Sequence, residues 1–413
     1  EGNHKLSGEI NVKGAKNAVL KEMILPILAE GKYLLKNVPL IDDVEYMQDV
    51  LKVLGINSNF KNDSLEIVSP STIGVEAPYE IVQKMRASII ILGPLLARCG
   101  EARIAFPGGD QLGPRPVQMH LDALEKMGAN FELDHGVLIG KTDGLNGVEI
   151  NLPYASVGAT ENTLLAAVLA KGRTVIENAA REPEIVDIVN MLIKMGANIS
   201  GAGTSEIIVE GVDKLNPTDH EIIGDRIAAG TFLAAILSTK GSGIVNGINP
   251  EHLPMELKKL GEMGAKIDST ETSINIEYRD NLQSIELSTL PFPGIATDLQ
   301  PIFGSALLLA EGTSILTENV YDQRFQWIPE AQRMGANIQT GWQHAMIKGV
   351  KTLSGAPVHA TDIRTGASLV IAALQADGLS TITGIDHINR GYEDIVASLT
   401  SLGSTIEYND NHG

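Results

Sequence analysis

The chain has 413 residues, of which 43% are hydrophobic, so it is too long for one ordinary core and predicts two or three domains. A formal net charge of -19 with only 32 Lys plus Arg excludes the broad basic face of a non-specific nucleic-acid binder, though a few convergent arginines can still bind a small anion. One cysteine, Cys99, excludes an intrachain disulfide scaffold and a two-cysteine zinc motif, and apolar runs such as Ile302 to Ala310 stop well short of the roughly 18 residues of a membrane span. A reducing cytoplasm fits this composition. The polar start Glu1-Gly2-Asn3-His4 lacks an export pattern, and the absence of an initiator methionine implies that some native N-terminal sequence is missing.

In chain order, Val12-Lys13-Gly14-Ala15-Lys16-Asn17-Ala18 joins a strand to a helix. Lys16 at a helix start opposes the helix dipole unless an anion is present, and Asn17 beside it can bind polar ligand groups. A short apolar segment with a glycine turn then recurs, as in Lys126-Met-Gly-Ala-Asn130, Lys194-Met-Gly-Ala-Asn198 and Arg333-Met-Gly-Ala-Asn337. Its glycines are Gly55, Gly128, Gly196, Gly264, Gly335 and Gly403, spaced by 73, 68, 68, 71 and 68 residues. A second series, Gly31, Gly100, Gly172, Gly241, Gly312 and Gly378, follows helical patterns and precedes strand-like runs at a similar period. Two markers with one period predict six copies of one unit.

The third copy shows its content. Residues 156–170 are helical and end at Lys171-Gly172, Thr174 to Ile176 is a strand, and a second helix starts at Pro183. Ile199 and Ile207 to Val209 form a hairpin around Gly201-Ala-Gly203, which gives a β-α-β-α-β-β unit. Such units bury their second faces against neighbours, which predicts two α/β globes of three units each, helices inside and sheets outside. The change of globe falls near Asp219 to Gly224.

The stretch Phe106-Pro-Gly-Gly-Asp-Gln-Leu-Gly-Pro-Arg-Pro116 reads as a surface loop carrying a proton-transfer group, Asp110, and an anion clamp, Arg115. Arg86 can join Lys16 and Arg115 around one anion, and Asp298, Arg324, Arg364 and Arg390 add charges at element boundaries of later units. A buried Asp298 can serve as a general base with a raised pKa. No G-x-G-x-x-G or P-loop pattern supports a nucleotide cofactor, and no histidine spacing supports zinc. Asp42-Asp43 and Asp219-His220-Glu221 read as solvated turns, and Cys99 as a buried structural residue.

Lys16-Asn17, Met85-Arg86-Ala87-Ser88, the Pro107 to Val117 loop, Ser156-Val-Gly-Ala-Thr160, Asn178-Ala-Ala-Arg-Glu-Pro-Glu184, Arg324-Phe325, Thr361-Asp-Ile-Arg364 and Arg390-Gly-Tyr-Glu393 occur in order along essentially the whole chain. Together they closely resemble the UDP-N-acetylglucosamine 1-carboxyvinyltransferase family of enolpyruvyl transferases. The resemblance implies a two-domain inside-out α/β barrel, with residues 16–224 in one domain and 1–15 plus 225–413 in the other, closing around the substrates. It implies transfer of the enolpyruvyl group of phosphoenolpyruvate to the 3-hydroxyl of UDP-N-acetylglucosamine with release of phosphate, the first committed step of peptidoglycan precursor synthesis in a bacterial cytoplasm. It implies no cofactor, no metal, no nucleic acid, no membrane and no obligate protein partner.

By the same resemblance Lys16 and Asn17 contact the reacting groups, and Lys16, Arg86, Arg115, Arg364 and Arg390 surround phosphoenolpyruvate and its leaving phosphate. Asp298 is the base near the sugar hydroxyl, and Arg324 supports it. Ser156, Val157 and Gly158 contact the diphosphate, while Arg115, Pro116, Val117 and Val320 hold the uridine and sugar. Two positions depart from the family pattern. Most members carry cysteine where this chain has Asp110, which implies resistance to fosfomycin and a general acid or a loop-closing and product-releasing role for the carboxyl. Many carry lysine where this chain has Tyr154. The nearest alternatives are the sister activity on shikimate 3-phosphate and a non-catalytic sugar-nucleotide-binding regulator.

Overall fold

A computed structural model describes residues 2–82, 86–105 and 117–409. The chain forms two compact units, 14–223 and 1–13 with 224–413. In the first, three four-stranded sheets follow one plan: a parallel pair, then an antiparallel pair, then a hairpin. The third copy has Glu149–Asn151 parallel to Arg173–Glu177, which pairs with Glu206–Glu210 and through it with Asn198–Ser200. The other two sheets are ordered Asp219–Glu221, Gly31–Lys36, Ser64–Ser69, Asn57–Lys61 and Glu76–Ala77, Glu101–Ala105, Val137–Lys141, Asn130–Asp134.

The strands alternate buried and exposed residues, whereas the helix Val157–Ala167 is buried from Ala159 to Ala167. A sheet with one wet face around a helix that is dry on all sides is the inside-out layering expected of the repeats. All six glycines of the Met-Gly-Ala marker sit at positive φ, between 83 and 109°, where a side chain is strained, which is why the marker survives in every copy. In the second marker Gly241 departs: Lys240 takes the left-handed conformation at φ 57° in its place.

The unit of 224–413 has two four-stranded sheets and a pair. Ser7–Asn11 lies parallel to Ser242–Asn246, followed by Ser273–Tyr278 and Ala265–Ser269. Glu286–Ser288, Thr313–Thr317, His344–Lys348 and Asn337–Gly341 repeat the plan. The last copy shows only the parallel pair Pro357–His359 and Thr381–Thr383 among the described residues, so its expected hairpin is not formed there. The helices Arg226–Ser238, Gln300–Ala306 and Ile363–Gln375 are almost wholly buried.

Buried helices carry polar residues that must find partners. On Val157–Ala167, Asn162 accepts from Gly93 N at 2.6 Å and donates to Ile89 O at 3.1 Å. A Cβ on Gly93 would lie 2.3 Å from Asn162 O, so only glycine permits this helix approach. Glu161 is fully buried, and Lys21 Nζ lies 3.4 Å from its Oε1. Desolvation pushes the Glu161 carboxyl up to about 7; Lys21 opposes the shift, and Glu184 and Glu182 add to it.

A folded-state pKa above the unfolded value means that Glu161 supports the fold fully below about pH 4.5, and that this support is lost as pH rises through about 7. Replacing it by glutamine removes the titration. The stability of Glu161→Gln relative to the wild type should therefore rise by about 3 kcal/mol between pH 4.5 and 8, measured by urea unfolding. Parallel stability curves across that range would contradict the assignment.

Candidate active site

In the unit of 224–413 three of the singled-out charges meet. Asp298 lies in the 3-10 turn Thr297–Leu299, ahead of the helix Gln300–Ala306. Arg324 starts a second such turn, Arg324–Trp327, which is fastened to that helix by a bond from Trp327 Nε1 to Gln300 Oε1 at 3.2 Å. Gly304 makes room for the indole, since a Cβ there would lie 2.4 Å from Trp327 Cζ2. Arg364 occupies the first turn of Ile363–Gln375, whose N-cap Asp362 accepts from the Arg364 and Thr365 backbone N–H groups. An aspartate cap at that end offsets the guanidinium placed there.

Arg324 donates from Nη2 to Asp298 Oδ1 at 2.9 Å and from Nε to Thr297 Oγ1 at 3.1 Å, and it lies 4.8 Å from the centroid of the Tyr321 ring. Arg364 Nη2 donates to the other oxygen, Oδ2, at 2.8 Å. Burial works against the Arg364 cation, but Asp298, with Tyr392 and Asp225, more than compensates and holds it above the ordinary arginine range. The Asp298 side chain keeps 26% of its surface exposed, so it is not the buried base that the sequence suggested. One carboxylate thus accepts from two guanidiniums, one on each oxygen. Arg390 follows the short helix Ile385–Asn389 and is partly buried. Val320 is on a turn gathered around Glu318 Oε1, which accepts from Val320 N, Tyr321 N and Thr289 Oγ1.

In the unit of 14–223, Lys16 opens the helix Lys16–Glu22 and is buried, with Nζ 2.7 Å from Asp43 Oδ2. The anion required by a lysine at a helix start is thus supplied within the chain. Asp43 is buried in the first turn of Asp42–Val53, not in a solvated turn. Asn17 is partly buried, and its carbonyl accepts from Lys21 Nζ at 2.9 Å. Ser156 caps Val157–Ala167 by accepting from Ala159 N at 3.3 Å, so Val157 and Gly158 present the first-turn N–H groups that favour an anion. Tyr154 is exposed two residues earlier.

His120, which no sequence pattern marked, packs within about 3 Å of where a Gly158 Cβ would lie. Burial lowers its pKa to about 4, so it is a neutral ring whose Nδ1 accepts from Asn162 Nδ2 at 3.1 Å. Val117 caps the helix Gln118–Lys126 that carries it. Arg86 begins the turn Arg86–Ile91, while its side chain, like Asp110, Arg115 and Pro116, lies outside the described residues. Cys99 ends the helix Leu92–Cys99 and is exposed, contrary to its reading as a buried residue, because the left-handed Gly100 turns the chain at that point.

One His/Asp/Glu group among the described residues has ligand-like spacing. His220 Nε2 lies 2.9 Å from Asp187 Oδ1 and 3.6 Å from Glu22 Oε1, and all three residues are buried. Asp219-His220-Glu221 is therefore a strand with a buried centre and not a solvated turn. Lys194 Nζ donates to His220 Nδ1 at 3.3 Å, which places the ring hydrogen on Nε2, facing Asp187. Asp187 Oδ2 accepts from Ile223 N at 3.1 Å. Burial and the Asp187 charge raise Glu22 well above the usual carboxylate range. The donor set fits a proton-sharing network that ties the strand to the helix Pro183–Lys194 better than it fits a cation.

The EPSP synthase (3-phosphoshikimate 1-carboxyvinyltransferase) family model matches residues 1–399. Proteins named UDP-N-acetylglucosamine 1-carboxyvinyltransferase from Corynebacterium jeikeium and Thermotoga maritima are 47% and 45% identical to this chain. The alignments cover 98% and 99% of it and 97% of each relative. Among solved structures, the enolpyruvyl transferase NikO from Streptomyces tendae superposes with a TM-score of 0.88 at 23% identity, over 97% of this chain and 96% of that one. EPSP synthase from Acinetobacter baumannii does so with a TM-score of 0.76 at 21% identity and the same coverage, and both likenesses speak for the fold. The chain belongs to the enolpyruvyl transferase family described by EPSP synthase, among the UDP-N-acetylglucosamine 1-carboxyvinyltransferases.

Proposed function

We propose that this chain transfers the enolpyruvyl group of phosphoenolpyruvate to the 3-hydroxyl of UDP-N-acetylglucosamine, releasing phosphate, in a bacterial cytoplasm. The observation that carries the reading is the Asp298 carboxylate held by Arg324 and Arg364, in a chain 45–47% identical along its length to proteins of that name. Arg364 and Arg390, with Lys16, Arg86 and Arg115, attract the phosphoenolpyruvate anion and stabilise charge as phosphate leaves. Two guanidiniums fix the orientation of Asp298, whose carboxylate takes the proton of the attacking sugar hydroxyl. Asp110 supplies the proton to C3 of the enol, phosphate leaves C2 of the tetrahedral adduct, and loss of a C3 proton restores the double bond. Asn17 and the first-turn N–H groups at Val157 and Gly158 orient the sugar nucleotide, with Ser156, Pro116, Val117 and Val320 beside it. No helix among the described residues is long and apolar enough to cross a membrane.

Phosphate release from phosphoenolpyruvate with UDP-N-acetylglucosamine, plus an enolpyruvyl adduct in the product mass, is the expected outcome. The family model bears the name of the sister activity, so shikimate 3-phosphate is the control acceptor. Turnover with it alone would reassign the substrate, and binding without turnover of either would favour a regulator. Asp298→Asn should lose about 10²–10⁴-fold in turnover while isothermal titration still detects the sugar nucleotide. Retained turnover would remove Asp298 from the base role.

Fosfomycin should leave the wild type active and unmodified, because a carboxylate at position 110 is a poorer nucleophile than a thiolate. Asp110→Cys should gain time-dependent inactivation and the mass of one inhibitor. A drug adduct on Asp110 of the wild type would contradict this.

A further inference from the structure

We infer that Tyr392 is a positioning residue for the anion-binding arginines, fixing Arg364 through its hydroxyl and the Arg390 segment through its backbone. The inference rests on the enolpyruvyl-transfer reading above and adds a residue to it.

A count of hydrogens gives the direction of each bond. Thr231, inside the buried helix Arg226–Ser238, has its Oγ1 2.8 Å from Ile227 O and 2.8 Å from Tyr392 Oη. A hydroxyl has one hydrogen, and a carbonyl oxygen can only accept, so the Thr231 hydrogen goes to Ile227. The hydrogen between the two hydroxyls must then come from Tyr392. With its hydrogen committed to Thr231, the phenol oxygen can only accept on its other side, where Arg364 Nη1 stands 3.4 Å away. Burial raises the Tyr392 pKa, so the phenol keeps its hydrogen and the direction of the chain.

Arg364 is thereby held at two points, Nη2 by Asp298 and Nη1 by Tyr392, so its plane is set as well as its place. The backbone does the same for Arg390. Gly391 N and Tyr392 N both donate to Ile388 O at 3.0 Å, closing the turn that contains Arg390, and the Tyr392 ring anchors that turn in the core. One side chain thus registers two cations against the helix Arg226–Ser238. An ordinary buried tyrosine would support the fold without favouring either substrate.

The test is steady-state kinetics of the full chain with each substrate varied, beside thermal unfolding. Tyr392→Phe, which keeps the ring and deletes the hydroxyl, should raise the KM for phosphoenolpyruvate about tenfold, while the KM for UDP-N-acetylglucosamine moves less than about twofold. Thr231→Val should shift the same parameter in the same direction, because it releases the tyrosine hydrogen without touching either arginine. Thr231→Ser, which retains the hydroxyl, should restore it. An unchanged KM for phosphoenolpyruvate in Tyr392→Phe, or equal rises in both KM values that follow lost thermal stability, would overturn the inference. A wild type that turns over neither acceptor would overturn the underlying reading and this inference with it, whereas an active wild type matched by Tyr392→Phe would overturn the positioning role alone.

Discussion

A carboxylate shared by two guanidiniums is the arrangement on which the unit of 224–413 depends. Removing a charge from water costs several kcal/mol, and for Arg364 the charge of Asp298, with Tyr392 and Asp225, more than repays it. Two further features settle Arg364: Asp362 caps the helix that begins beside it, and the Tyr392 oxygen accepts from its second nitrogen. Asp225 does the same at the start of Arg226–Ser238, next to Arg226. Aspartate at the cap with arginine in the first turn is thus a repeated solution. It keeps guanidiniums at helix starts, where the dipole alone would disfavour them.

The unit of 14–223 meets the opposite problem. Its helices bury Glu22, Glu161, Glu184 and Asp187, and the nearby partners are Lys21, Lys194 and His220. Burial holds two of these carboxyls, Glu22 and Glu161, above their ordinary range. Asp187 goes the other way: its own burial penalty is outweighed by bonds from His220 and Ile223 N, so it stays a carboxylate. A proton on Glu22 and a charge on Asp187 are two halves of one balance, since two adjacent buried carboxylates cannot both ionise cheaply.

The repeat was legible because it is written in local rules. A glycine at positive φ after a helix is required by the backbone itself, and the Met-Gly-Ala marker therefore reports its copy wherever it stands. The place of Lys16, Asp298, Arg324 and Arg364 at element boundaries was legible because charged residues there stand out against an aliphatic background. What sequence did not reveal depends on partners far along the chain. Asp43 looked like a turn because its lysine is on another helix. Asp219-His220-Glu221 looked solvated because Asp187 and Lys194 reach it from a helix some thirty residues away. Cys99 looked buried because cysteine usually is, yet the helix ends there and its last residue faces out. Tyr392 was legible only as part of the Arg390-Gly-Tyr-Glu393 motif, since its role lies in the direction of one hydrogen.

The order of the strands shows why six copies do not make six interchangeable modules. Ser7–Asn11 opens the first copy in sequence, but it pairs with Ser242–Asn246, in the unit that contains the last three. The edge it would have filled beside Gly31–Lys36 is taken by Asp219–Glu221, from the far end of that strand's own unit. Each unit therefore closes on a strand brought from a distant part of the chain, with Ala15 N bonded to Ile223 O in one and Asp225 N to Lys13 O in the other. Every inner strand of the plan has two hydrogen-bonded neighbours, and a missing first strand would expose a row of unpaired backbone groups. The same exchange places His220 on that closing strand, where the Asp187 network grips it, and Asp225 directly after it, where it caps the helix that carries Thr231. The residues that complete the sheet of one unit thus lead straight into the helix against which the arginines of the other are registered.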